Sequence, residues 1–199
     1  MSLPARHPTR RIVLTGFLAG TLGLATSTAE AADASLAYMK KAANELFNAH
    51  KQGTVSAFLP PIERYADVAS IADYSLGQYA AKLPAGERDT YYKGVALFIA
   101  RYFADQTRYY RIAKWEMGEP DKQSDGDILI NMRVTLLTGA RHNVEWRLRA
   151  KGKGFKIADV KVAGFSLIYF QRGLFVSYIR ERKGDVRQLV AVLNRQPTN

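Results

Sequence analysis

Residues 127–162 alternate with a period of two, and this constrains the fold more than any other feature of the chain. Ile128, Ile130, Met132, Val134 and Leu136 fall on one face, opposite Leu129, Asn131, Arg133, Thr135 and Leu137. Residues 138–141 read as a turn. Val144, Trp146, Leu148 and Ala150 then alternate against Glu145, Arg147 and Arg149. Residues 151–154 form a second tight connection, and residues 155–162 a further strand. Residues 109–115 look extended as well. The pattern predicts a twisted antiparallel sheet of about four strands with one apolar and one charged face. Slipping any strand by one residue would turn its apolar set to solvent, so the register is strongly specified.

The apolar face needs a cover, and the flanking sequence supplies helices. Leu36, Met39, Ala43, Leu46, Phe47 and His50 recur at three- and four-residue spacing, with Gly53 as a stop. Pro60 and Pro61 are expected to break the chain before a second helical run carrying Val68, Ile71, Ala72, Leu76 and Tyr79. The longest helix is expected over residues 87–105, with Tyr91, Val95, Phe98, Ile99, Tyr102 and Phe103 on one wide face. Gly94 lies inside it and marks close packing against another segment. Residues 166–182 carry Leu167, Phe170, Leu174, Phe175 and Tyr178. A last helix over residues 186–193 carries Leu189, Val190 and Leu193. With no internal repeat and no low-complexity linker, the class is α+β: one domain, its sheet wrapped by N- and C-terminal helices.

The first 31 residues stand apart. Arg6, Arg10 and Arg11 precede an apolar stretch over residues 12–25, and small residues around Ala29-Glu30-Ala31 offer a cleavage point. This is the layout of a signal peptide, and the stretch falls short of the roughly 20 residues that a membrane span needs. The paired arginines fit either a general export signal or a twin-arginine signal. The expectation is export to the periplasm, cleavage near Ala31 and a mature domain over residues 32–199.

The chain is basic, with 29 Lys and Arg against 18 Asp and Glu. Loss of Arg6, Arg10, Arg11 and Glu30 with the leader leaves 26 against 17, a formal charge of +9. Nucleic acid is a poor partner for an exported protein. Anionic membrane surfaces or acidic proteins fit better, and a basic surface kept for solubility fits equally well.

Candidates for chemistry are few. There is no cysteine, hence no disulfide, thiolate metal site or thiol nucleophile. Of three histidines, His7 belongs to the leader, His50 ends a helix and His142 lies in a turn; none has metal-motif spacing or an orienting carboxylate nearby. Gly152-Lys153-Gly154 joins two strands and opens no helix, which makes it a hairpin and not a phosphate loop. Asp121, Asp125 and Asp127 surround Gly126, but no glutamate closes a calcium loop of twelve. The reading is a non-enzyme with neither metal nor cofactor. Long aliphatic side chains and Trp146 on the sheet, opposed by helical aromatics, suit an apolar chamber; a packed core has the same signature.

A family resemblance sharpens this. Residues 155–167, Phe-Lys-Ile-Ala-Asp-Val-Lys-Val-Ala-Gly-Phe-Ser-Leu, resemble the W-k-i-x-D-v-x-v-x-G-v-S-l segment of the MlaC and toluene-tolerance family of phospholipid-transport proteins. Arg172 and Phe175 answer to the arginine and aromatic that follow it. Ile71-Ala72-Asp73-Tyr74-Ser75-Leu76-Gly77 is similar to the family's i-a-x-x-x-L-G helix. Glu87-Arg88-Asp89-Thr90-Tyr91, with Phe98 and Tyr102, is similar to its e-r-x-x-F stretch, and residues 185–189 to its closing segment. Phe155 stands where the family has tryptophan and Phe165 where it has valine, while Phe170 and Gln171 replace small or polar residues.

The resemblance implies a nuclear-transport-factor-like or cystatin-like sheet, wrapped by helices, with acyl chains held between the layers. It implies a periplasmic carrier that shuttles phospholipid between an outer-membrane lipoprotein complex and an inner-membrane ABC transporter with an MCE-domain subunit, and so a part in outer-membrane lipid asymmetry. The chamber would be lined by Val95, Phe98, Tyr102, Met132, Val134, Trp146, Val160 and Phe165. A carrier of hopanoids or other lipids on the same fold, a small isomerase or dehydratase on a similar sheet, and a structural adaptor are the alternatives.

Overall fold

A computed structural model describes the backbone of residues 23–195 and the side-chain environments from Ala32 onward. Residues 1–22, which hold most of the expected leader, lie outside the described residues. Helix α1 (Gly23–Gln52) runs through the expected cleavage point. It is followed by α2 (Val55–Tyr65), α3 (Val68–Leu76), two short 3₁₀ segments (Gly77–Lys82 and Ala85–Glu87) and α4 (Arg88–Gln106). The strands are β1 (Ile112–Lys122), β2 (Ile128–Leu136), β3 (Arg141–Lys151), β4 (Gly154–Val162) and β5 (Phe165–Ser166). Helices α5 (Leu167–Glu181) and α6 (Val186–Leu193) complete the fold.

The sheet is an antiparallel meander in the order β1-β2-β3-β4-β5. It has one strand more than the pattern predicts, because β5 has only two residues and leaves no periodic signal. The alternation sets the register as expected: Ile130 lies opposite Trp146, and Trp146 opposite Val160, so one apolar row crosses three strands. Residues 109–111 are not strand, and β1 begins at Ile112. The hairpin partners Arg147↔Asp159 and Leu148↔Ile157 leave Ala158 as an extra residue, a bulge in β4. It buries Ile157 and Ala158 in succession and bends the strand around the space below it.

The two prolines do not break the chain. Pro60 and Pro61 lie inside α2. Their rings forgo two helical hydrogen bonds, yet the helix continues because its apolar face, Phe58, Pro61, Ile62 and Tyr65, is buried. Tertiary packing outweighs local propensity here. Thr54 caps the start of α2, its Oγ1 accepting from the Ala57 amide at 3.3 Å. Gly94 marks a close approach, since a β-carbon there would stand 2.8 Å from Leu193 Cβ and 2.7 Å from Asn194 Nδ2 at the end of α6.

Apolar side chains form three clusters. One joins the sheet to α1, a second joins α3, α4, α5 and α6, and a third joins α1, α2 and α4. Helix α1 packs on β1, and α2, α3 and α5 pack on β4, while α4 lies chiefly against α2, α3 and α6. The three clusters converge on one region between sheet and helices.

Candidate functional site

That region is a cavity. It is lined by Ile62, Tyr65, Ile71, Phe98, Tyr102, Phe103, Trp146, Ile157, Val160, Leu167 and Phe170, among others, and its free volume is small, about 80 Å³. A second apolar cavity, of about 90 Å³, lies between α1 and the β1–β2 end of the same sheet face, lined by Phe47, His50, Phe58, Ile112, Trp115, Met132 and Val134. Leu46, Phe103 and Trp146 belong to the walls of both.

Of the residues expected to line a chamber, Phe98, Tyr102, Trp146 and Val160 lie on the first cavity. Met132, Val134 and again Trp146 lie on the second. Phe165 lies outside, on an open cleft that shares Tyr102, Leu167 and Phe170 with the first cavity. Val95 lines neither cavity. It is wholly buried in the cluster containing Phe175, Ile179 and Leu189. Ile157, Ala158 and Ile62 escape a reading of the sequence because their faces depend on the bulge in β4 and on helix packing. No local period encodes either.

Polar groups at the site serve the scaffold. Asp159 Oδ1 accepts from the amides of Val160 (2.8 Å) and Ile168 (3.2 Å), and its Oδ2 accepts from Ser166 Oγ at 2.6 Å. Ser166 in turn caps α5, accepting from the Tyr169 amide at 3.3 Å. The D, G and S of the Asp159–Ser166 segment thus have one structural purpose. Asp159 and Ser166 hold the start of α5, and Gly164 takes the left-handed conformation (φ 86°) that turns β4 into β5.

Arg172 is used in a similar way. It donates to the Tyr74 carbonyl at 2.7 Å and lies over the Tyr74 ring at 4.7 Å. A β-carbon on Gly77 would stand 3.0 Å from its Nη2, so the Leu76-Gly77 step and Arg172 fit one another. Tyr91 is fully buried, donates to the Ala72 carbonyl at 2.9 Å, and has its hydroxyl pKa pushed well above the usual phenol value by that burial. Burial likewise raises the Tyr102 hydroxyl pKa, helped by Tyr110. Trp146 Nε1 is buried with no hydrogen-bond partner. Among the described residues no group of three His, Cys, Asp or Glu side chains could hold a metal ion, and no helix is long and apolar enough to cross a membrane.

A five-stranded antiparallel meander, roofed by helices that leave an apolar cavity against β3 and β4, defines a helix-wrapped, cavity-bearing α+β fold. The family model described as MlaC protein matches residues 29–195, and the chain belongs to that family. Comparison with curated protein sequences finds no match. Among solved structures, the fold is similar to that of a phospholipid-binding protein from Ralstonia solanacearum, determined in complex with a phospholipid. The identity is 17%, the TM-score 0.65, and the match covers 80% of this chain and 94% of the other.

Proposed function

We propose that this chain is a periplasmic carrier that holds the acyl chains of a phospholipid in the cavity between helices and sheet. The observation that carries this reading is an interlayer cavity walled by apolar side chains at the meeting point of three core clusters, in a member of the MlaC family. The phospholipid complex of the Ralstonia protein, on the same fold, supports it.

The energetics suit a carrier without a chemical step. Exposing a diacyl lipid of about 30 methylenes to water costs on the order of 20 kcal/mol, at about 0.8 kcal/mol each. A cavity that imitates the bilayer makes transfer in and out nearly balanced. Direction then comes from docking and from an ATP-driven partner: an inner-membrane MCE-domain transporter on one side and an outer-membrane lipoprotein complex on the other. Asp159 supports this reading over an isomerase or dehydratase, because its two oxygens are taken up by Ser166, Val160 and Ile168.

The aromatic walls, Phe98, Tyr102, Phe103, Trp146 and Phe170, also suit a rigid polycyclic lipid, and a hopanoid is the second reading. Native mass spectrometry of the chain purified from a bacterial periplasm, followed by lipid extraction, tests both. A co-purified phospholipid is expected. A hopanoid would favour the second reading, and a clean ligand-free mass under gentle conditions would sink the carrier.

A further inference from the structure

Five of the eight large apolar side chains that the described residues expose lie together: Tyr74, Phe165, Tyr169, Phe170 and Leu174. Phe165, Tyr169 and Phe170 are 77%, 65% and 50% exposed and line one surface cleft. The Tyr74 and Tyr169 rings meet edge to face at 5.6 Å, and Leu174 follows Phe170 by one helical turn. Such a contiguous aromatic patch marks an interaction surface. It also adjoins the internal cavity, since Tyr102, Leu167 and Phe170 line both.

The patch is held rigidly. Lys161 pairs with Ser166 and Val162 with Phe165 across a two-residue hairpin turn, Ala163-Gly164, whose φ angles of 50° and 86° are both positive. This is the type I′ geometry that matches strand twist, and alanine enters it only at a conformational cost. Asp159 and Ser166 fix the chain on either side of that turn. Phe165 is therefore presented at a hairpin tip, with its ring turned largely to solvent.

We propose that Phe165, Tyr169 and Phe170 form a docking face that seats the mouth of the cavity in the interfacial layer of an anionic lipid bilayer. Three features select a bilayer. Phenylalanine and tyrosine rings are side chains that settle at a membrane interface. Arg172 and Lys161, the latter ion-paired with Glu145 at 2.8 Å, lie beside them on a chain whose mature form carries the formal charge of +9 derived above, the sign that anionic headgroups attract. Continuity with the cavity would let an acyl chain pass between bilayer and protein without crossing water. The inference rests on the carrier reading, although the docking face can be tested separately.

The test is co-sedimentation of the full mature chain with vesicles of phosphatidylcholine alone and of equal parts phosphatidylcholine and phosphatidylglycerol, with native mass spectra taken alongside. Wild type is expected to partition onto the anionic vesicles, less so as salt rises. The double variant Phe165→Ser/Tyr169→Ser alters two exposed side chains and should bind at least about tenfold more weakly, with its co-purified lipid unchanged. Phe165→Trp should keep binding, with blue-shifted emission on vesicle addition. Equal vesicle binding by wild type and double variant would overturn the proposal, as would no binding by wild type, the result expected of a face reserved for a protein partner. A protein free of lipid that still binds vesicles would leave the docking face standing and sink the carrier reading instead.

Discussion

Gln171 Nε2 donates to Ser75 Oγ at 2.8 Å, a hydrogen bond between two buried side chains 96 residues apart. Ser75 passes the bond on, donating to the Ile71 carbonyl at 2.7 Å. Gln171 and Ile71 both line the first cavity, so this chain of two bonds pins α5 to α3 at the cavity wall.

Ser75→Ala strands a buried amide, and the expected loss is about 1–3 kcal/mol of unfolding free energy, read from the urea midpoint. Removing both partners in Ser75→Ala/Gln171→Met should recover part of that loss, since an apolar pair leaves nothing unsatisfied. A double variant worse than the sum of its parts would refute the coupling.

Asp67 ties the helices to the sheet beneath the cavity. Its amide donates to the Ile157 carbonyl at 2.8 Å, and its buried carboxylate accepts from Lys151 Nζ at 2.6 Å and Ser70 Oγ at 2.8 Å. Burial pushes the carboxyl pKa up, but the hydrogen bonds from Lys151 and Ser70 outweigh it and hold the pKa below the usual range. A pKa lower in the folded than in the unfolded state stabilises above about pH 4, and that stability is lost as pH falls through the folded value. Lys151→Met is expected to cost about 1–2 kcal/mol near neutrality and to move the acid-unfolding midpoint to higher pH. An unmoved midpoint in a circular-dichroism titration would count against this.

His50 Nε2 accepts the Ile112 amide at 3.2 Å where β1 begins, beside the second cavity. The bond needs an unprotonated nitrogen, and burial lowers the imidazole pKa from its ordinary value. The folded state therefore favours neutral histidine: the contribution is complete above about pH 6.5 and declines as pH falls through the lower folded pKa. Unfolding free energy should drop as pH falls from about 7 to about 5, and His50→Gln should flatten that slope. Chemical denaturation at a series of pH values measures both.

Gly94→Ala improves helix propensity by about 1 kcal/mol, yet its new methyl would press on Leu193 and Asn194. Asn194 Nδ2 there donates to the Val190 and Thr90 carbonyls, so it has little freedom to yield. The expected result is a net loss of about 1–3 kcal/mol, seen as a lower Tm. A raised Tm would show that the end of α6 shifts freely.

The sequence by itself determined the sheet and the identity of its faces. A period of two is a local property, and Ile130, Trp146 and Val160 had one side of a meander open to them. It also carried the family segment, whose Asp159, Gly164 and Ser166 perform short-range tasks of capping and turning. The tertiary structure decided what happens above that sheet. Packing kept α2 helical through Pro60 and Pro61, and the bulge at Ala158 turned adjacent residues inward. On α5 it buried Gln171, Phe175 and Ile179 while leaving Phe170 and Leu174 outside. Apolar residues recur around nearly the whole circumference of that helix, so its own pattern names no inner face. That choice belongs to partners such as Ser75, far away in sequence, and with it the existence of the cavity and the position of its rim.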